Sequence, residues 1–68
     1  MMNDLQKRVV IAFAENDMRI DRTAAAMMYS RGTIQYYLDK TPRDTGLNPR
    51  CFFDLIKLYK IAKGEEKE

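Results

Sequence analysis

The chain has to hold its fold together without a covalent or metal cross-link. It has 68 residues, a single cysteine at Cys51 and no histidine. One cysteine forms no internal disulfide, and without histidine it forms no zinc site. A domain of this length buries only about 60% of the surface of its unfolded chain and is marginally stable. The sequence therefore predicts one small domain, 1–68, for which association with another chain is the remaining source of stability.

The balance of apolar and charged residues indicates a soluble folded protein. Apolar residues make up 46% of the chain and charged residues 32%, which is typical of a globular domain. No apolar run reaches the roughly 20 residues that span a bilayer. The first residues, Met1 to Asp4, lack the basic-then-apolar pattern of a signal peptide. We therefore expect a cytoplasmic protein in which Cys51 stays reduced.

Apolar spacing indicates four helical segments and no strand. The first runs from about Asn3 to Glu15, and the turn-favouring pair Asn16-Asp17 follows it. The second is expected to begin at Asp21, whose carboxylate would accept a hydrogen bond from the free amides of the first turn. Its sequence is rich in alanine, which lets another helix approach closely. Met27 and Met28 at its end are expected to be packing residues.

The third segment begins near Ser30 and reaches about Lys40. Pro42 is expected to end or kink it, because proline lacks the amide that a helix interior needs. Residues 41–42 could also start a separate short turn, which Gly46 would close.

The fourth segment begins at Asn48-Pro49, an N-cap residue followed by proline at the first helical position. It ends near Gly64, and the charged tail 64–68 is expected to fray. Five residues are predicted to form its apolar face: Phe52, Leu55, Ile56, Tyr59 and Ala62. The fold class that follows is all-α, a small bundle of four to five helices.

Two of these helices are short and almost adjacent, which is the layout of a helix-turn-helix at about Asp21 to Lys40. In that motif the first helix braces the second, and the second enters the major groove of DNA with its N-terminal residues against base edges. Residues 19–50 carry six bases against three acids, a sum of +3. Five of the six bases are arginine, which suits phosphate and guanine recognition.

The same stretch resembles a known family. Residues 20–38 read IDRTAAAMMYSRGTIQYYL, which is similar to the C-terminal helix-turn-helix of PucR-like bacterial regulators and to the Fis-type domain. The family pattern of Ile, Thr-Ala, an apolar pair, Arg, Thr and Tyr-x-Leu is filled without a gap. Thr45-Gly46-Leu47 matches the Thr-Gly-Leu that follows the recognition helix. The resemblance covers about residues 5–60 and implies sequence-specific binding of double-stranded DNA in transcription regulation.

The resemblance also implies which residues would meet DNA. Three match the start of the recognition helix and two match later positions that face the groove. Arg22 matches a position in the bracing helix that can reach phosphate. From charge and position alone, Lys40 and Arg43 are expected to contact the DNA backbone. The predicted DNA-binding residues are therefore Arg22, Ser30, Arg31, Thr33, Gln35, Tyr36, Lys40 and Arg43.

Simpler roles are open for several of these residues. Arg31 could pair with a surface acid, although its place at a helix start favours DNA contact. Thr33 could cap the third helix as readily as it could bind phosphate. Gln35 suits bidentate recognition of adenine, yet exposed glutamine is common on helices. Tyr36 could pack on a neighbour, and Tyr37 is expected in the core.

Nothing in the chain predicts an enzyme, a cofactor or a metal site. It has no Ser-His or Cys-His pair and no paired carboxylates of the kind that acid–base catalysis uses. The rival prediction is a protein-interaction module on the same fold, because fold does not fix function. Its support is the small net charge of +2 and the tyrosines of the third helix.

Apolar residues on two sides of a helix predict a homodimer. Val10, Ile11 and Ala14 are expected on the side of the first helix that faces away from its main apolar face. Phe53 and Ile61 are likewise expected to lie away from the main apolar face of the fourth helix. Helices that are apolar on both sides are usually buried on both sides. We therefore expect a dimer through helices 1 and 4, with two recognition helices about 34 Å apart.

Overall fold

The computed structural model describes residues 1–65 and contains four helices. They are α1 (Asp4–Glu15), α2 (Ile20–Met27), α3 (Arg31–Thr45) and α4 (Phe52–Ala62). No strand occurs in this part of the chain, and the predicted all-α bundle is confirmed. The predicted fraying of the tail concerns in part residues 66–68, which lie outside the described residues.

α1 is the central helix, since α2, α3 and α4 each pack against it. Its start is fixed by a reciprocal cap, in which the backbone N–H of Gln6 donates to Asn3 Oδ1 at 2.8 Å and the backbone N–H of Asn3 donates to Gln6 Oε1 at 3.3 Å. Two otherwise free amides are satisfied in this way. Its predicted span from Asn3 to Glu15 is thus confirmed, with Asn3 as the cap.

α2 begins one residue earlier than predicted, and Asp21 is not its N-cap. The cap position is held by Arg19, which makes no side-chain capping bond. Asp21 lies inside the first turn, where a carboxylate is favoured by the helix dipole, and it accepts from the Arg19 guanidinium at 3.4 Å. The start is held instead by Thr23, whose hydroxyl donates to the Arg19 carbonyl at 2.7 Å.

Met27 and Met28 have different environments although they are adjacent. Met27 packs against the core, as predicted. Met28 is 91% exposed, so its predicted packing role is wrong. The reason is that Met28 ends α2 with a left-handed backbone (φ 59°), which turns its side chain out of the helical face.

α3 runs through Pro42 and ends at Thr45, five residues beyond the predicted end. Proline removes only its own amide bond, and here it does so in the last turns of the helix, where the hydroxyl of Thr41 donates to the Tyr37 carbonyl at 2.7 Å. The hydroxyl of Thr45 donates in the same manner to the Thr41 carbonyl at 2.8 Å. Gly46 closes the helix with φ 78°, and no separate turn intervenes.

α4 begins at Phe52, four residues later than the predicted cap at Asn48. Asn48 caps a turn and not the helix, because its side chain accepts from the amide of Arg50 at 3.0 Å and its carbonyl accepts from the amide of Cys51 at 3.0 Å. Gly64, with φ 79°, follows the end of α4 as predicted.

The core is made mostly of aliphatic side chains from all four helices. Val10 is fully buried in it, so its predicted place on the outer side of α1 is wrong. On α4 the buried residues are Leu55 and Leu58, whereas Phe52 is 60% exposed and does not belong to the apolar face predicted for it. The buried core residues are Met2, Val9, Val10, Phe13, Ala24, Ile34, Leu38, Leu55 and Leu58.

Within residues 1–65, no helix combines the length and the hydropathy that crossing a membrane requires. The longest helix is α3 with 15 residues, which is shorter than a bilayer demands.

Candidate nucleic-acid interface

α2 and α3 pack on each other across a three-residue turn, Met28 to Ser30. The turn is closed by backbone bonds, in which the amides of Met28 and Tyr29 donate to the carbonyls of Ala25 and Ala24 at 3.3 and 3.0 Å. This pattern satisfies the last carbonyls of α2. The buried Ala24 has no bulk that would hold α3 away. Two packed helices joined by this short turn have the arrangement predicted for a helix-turn-helix.

Ser30 and Thr33 hold the start of α3. The backbone N–H of Thr33 donates to Ser30 Oγ at 3.1 Å, and the two hydroxyl oxygens lie 2.8 Å apart. Ser30 is the N-cap. Thr33 is therefore not the cap residue, but its hydroxyl is already used within the turn by its contact with Ser30.

Arg31 and Gly32 follow the cap on the surface of the first turn. Arg31 is exposed and makes no ion pair with any residue in the range 1–65. A Cβ added at Gly32 would meet only Ser30 Oγ, at 3.9 Å. The fold therefore has room for a side chain at Gly32, and this residue leaves the backbone of α3 unusually accessible there.

Gln35 and Tyr36 are exposed on the next turn of α3. Ile34 and Leu38 are fully buried on the opposite side of the helix. Tyr36 is 54% exposed, and its ring meets the half-buried Tyr37 edge-on at 5.1 Å. The prediction that Tyr37 packs towards the core is confirmed. The first two turns of α3 thus present a polar and aromatic surface over a fully apolar base.

Two of the bases predicted to contact DNA are engaged with carboxylates. Arg22 donates to Asp17 at 2.7 Å and Lys40 to Asp44 at 2.9 Å. Arg43, in the last turn of α3, is exposed and has no ion pair among the described residues. Exposed ion pairs are worth about 0–1 kcal/mol, so Arg22 can exchange its partner at little cost.

Two further bases of the segment 19–50 are paired as well. Arg19 meets Asp21 at 3.4 Å, and Arg50 meets Asp39 at 2.6 Å. All three acids that lie between residues 19 and 50 are therefore next to a base. The uncompensated positive charge of this segment is concentrated at the two ends of α3, on Arg31 and Arg43.

A buried polar cluster that the sequence did not indicate joins α1 to the end of α3. The side-chain amide of Gln6, fully buried, donates to Thr41 Oγ1 at 3.2 Å and to Asp44 Oδ2 at 3.1 Å. The Lys40 ammonium and the Gln6 amide, donating to Asp44, lower the pKa of its carboxyl below the ordinary range. The same contact raises the pKa of Lys40. The only sequence signal was glutamine three residues after Asn3, which explains the cap and not the cluster.

An apolar groove lies on another face of the molecule, between the end of α1 and α4. Its volume is about 580 Å³. Phe52, Ile56 and Tyr59 of α4 line one side, and Ala14 and Met18 line the other. Among the described residues α4 packs on α1 and not on α2 or α3. The groove is therefore separate from the surface of α3.

No group of three or more His, Cys, Asp or Glu side chains with the spacing of a metal site occurs in residues 1–65. Cys51 is exposed at the start of α4 with a free thiol.

Comparison with protein-family models, curated proteins and solved structures finds no match to this chain. The resemblance to PucR-like and Fis-type domains over about residues 5–60 therefore stays a prediction.

Proposed function

We propose that the chain binds double-stranded DNA with the first two turns of α3, as a small bacterial transcription regulator of the cytoplasm or as the DNA-binding part of one. α2 would brace α3, and α3 would enter the major groove. Arg31 would donate to guanine O6 and N7 or to a phosphate, and Gln35 would bond adenine. Tyr36 would lie against the bases or the sugar edge, and Arg43 would meet a phosphate.

The observation that carries the proposal is the pair Arg31-Gly32 at the start of α3. Among six central bases, Arg31 and Arg43 are the two without a carboxylate partner in the described chain. Glycine in a helix costs about 0.5–1 kcal/mol relative to alanine, and nothing inside the fold requires it at this position. A glycine with free space beside an unpaired arginine suits close approach of a nucleic-acid backbone.

The roles of the other predicted residues follow from their contacts. Ser30 and Thr33 would contribute through the geometry of the α3 start, because their hydroxyls bond each other. Arg22 and Lys40 would add phosphate contacts only after leaving Asp17 and Asp44. Lys40 has the less accessible partner, so we expect it to contribute less than Arg22.

The proposal is tested by titrating the protein into labelled duplex DNA at two salt concentrations and following fluorescence anisotropy. We expect binding that weakens as salt rises, since phosphate contacts release counterions. Arg31→Ala should weaken binding by about 1–3 kcal/mol, or 5- to 150-fold. Lys63→Ala removes the same charge from α4 and serves as the control, with little change expected. Absence of salt-sensitive binding, or equal losses in the two variants, would overturn the proposal.

A protein-interaction module is the second candidate, and the groove between α1 and α4 favours it. Exposed apolar surface of this kind marks interaction sites in soluble proteins. If DNA binding is absent, the groove becomes the main functional surface. The two candidates are separated by the anisotropy titration, because substitutions in the groove do not touch α3.

A further inference from the structure

We propose that two copies of this chain pair through one face, which comprises the outer side of α4 and the groove beside it. This face is called the α4 face below. The groove itself is lined by Ala14, Met18, Ile56 and Tyr59 among others. The proposal concerns self-association and does not depend on DNA binding.

The α4 face carries both a projection and a recess. Phe53 is 73% exposed and Phe52 is 60% exposed, with their rings edge-on at 5.5 Å in the first turn of α4. The groove begins at Phe52 and continues along α4. In a two-fold pair the same patch meets itself, so that a projection from each copy can enter the recess of the other. One chain therefore supplies both halves of such an interface.

The charges on the α4 face are also complementary under a two-fold axis. Three acids, Glu15, Asp17 and Glu65, line the groove against one base, Lys60. Within one copy Asp17 pairs with the exposed Arg22, and Glu15 accepts from the Tyr59 hydroxyl. Lys57 and Lys60 are exposed on α4 and have no ion pair with any residue from 1 to 65. A partner that presents apolar side chains flanked by lysines fits this groove, and a second α4 presents them.

The exposed aromatic surface supplies about half of the area that a weak dimer buries per chain. The two phenylalanines together expose about 250–300 Å². Ile56, Met18 and the stems of the lysines extend this patch towards the roughly 600 Å² per chain at which stable interfaces begin. The total accessible surface is 4317 Å², so such an interface takes about one seventh of it. This is a large gain for a chain that lacks other stabilising devices.

The sequence predicted an interface through both α1 and α4, whereas the interface proposed from the structure lies mainly on α4. Val10 is in the core, and Ile11 and Ala14 are half-buried. Ile61 packs against the core as well, which leaves Phe53 as the exposed member of that set. The longest dimension of one copy is 28 Å. A spacing of about 34 Å between the two α3 helices, one turn of DNA, stays a prediction.

The test is sedimentation equilibrium of the full chain from low micromolar to high micromolar concentration. We expect a monomer–dimer equilibrium, and Phe53→Asp should raise its dissociation constant at least about 30-fold. Met28→Asp removes an even more exposed apolar side chain from another face and should leave the dissociation constant unchanged. Lys60→Glu should weaken the dimer less than Phe53→Asp does. Circular dichroism checks that the variants are folded.

Three outcomes would overturn the proposal: a monomer at every concentration, a dimer that Phe53→Asp leaves intact, or equal weakening by Met28→Asp. The anisotropy titration with DNA is read separately, since Phe53 lies outside α3. If the chain does not self-associate but shows salt-sensitive DNA binding, the proposed dimer is contradicted and the proposed function stands. A dimer that does not bind DNA contradicts the proposed function and leaves the proposed dimer standing.

Discussion

The two halves of α3 use their polar residues differently. In the C-terminal half, Thr41 and Asp44 are bonded to the buried amide of Gln6 on α1. In the N-terminal half, Arg31 and Gln35 are exposed and have no contact that the fold needs. Polar groups that are satisfied inside the protein stabilise it, whereas exposed polar groups are available to a partner. The comparison indicates that one end of α3 anchors the helix and the other presents it.

The largest effect is expected at the anchored end. Gln6→Ala removes three side-chain hydrogen bonds, of which the one to Thr41 is buried, and leaves a cavity. It should lower the free energy of unfolding by about 2–4 kcal/mol. Gln35→Ala makes the same change on the presented half and should alter stability by no more than about 0.5 kcal/mol. Urea unfolding measures both. Equal losses would remove the distinction between the two halves.

A smaller loss is expected at Thr41. Thr41→Val keeps the shape of the side chain but removes the hydroxyl that accepts from Gln6 and donates to the Tyr37 carbonyl. We expect a loss of about 1–2 kcal/mol in urea unfolding. Because the two residues share a bond, the double variant with Gln6→Ala should lose less than the two single losses together. Strict additivity would show that the cluster does not act as a unit.

A substitution at Gly32 tests the N-terminal half of α3, because it should raise stability and lower DNA affinity. Gly32→Ala has space for its Cβ and should raise the free energy of unfolding by about 0.5–1 kcal/mol, because alanine favours the helix. The same substitution should weaken DNA binding if a nucleic-acid backbone approaches the first turn. A variant that is more stable and binds DNA as well as the parent chain would contradict a close approach at Gly32.

The smallest effect is expected from pH at Asp44. The Lys40 ammonium and the Gln6 amide lower the pKa of this carboxyl in the folded chain. A lowered pKa contributes stability above the ordinary value near 4, and that contribution is lost as pH falls through the lower folded value. Asp44→Asn should therefore flatten the acid limb of a thermal-stability profile below about pH 4. An unchanged limb would show that Asp44 does not contribute to it.

The helices were predictable from sequence because their signals are local. The apolar spacing of α1 and the glycine after α4 fixed these elements approximately. The ends were predicted less well at two places. Pro42 was expected to stop α3, but side-chain hydroxyls and packing on α1 carry the helix past it. Asn48 was expected to cap α4, but it closes a turn that the spacing of residues alone does not distinguish from a helix start.

The candidate site was only partly predictable. Exposure of Arg31, Gln35 and Tyr36 follows from helical periodicity, and their positions agree with the expectation. The pairing of Arg22 and Lys40 with Asp17 and Asp44 depends on side-chain rotamers and on the tertiary fold, which periodicity does not encode. The same holds for the cluster around Gln6, whose partners are 35 and 38 residues away in sequence. Free space at Gly32 is visible only in the structure.

The most direct test of the central claim is an NMR titration of the isotope-labelled chain with a DNA duplex that it binds. The amide signals of residues 30–36 should shift or broaden most, together with the side-chain signals of Gln35. The amide signals of residues 41–45 should shift only weakly, and those along the α4 face should not change when the duplex is added. Shifts confined to the α4 face, or no shifts at low salt, would contradict DNA binding through the presented end of α3.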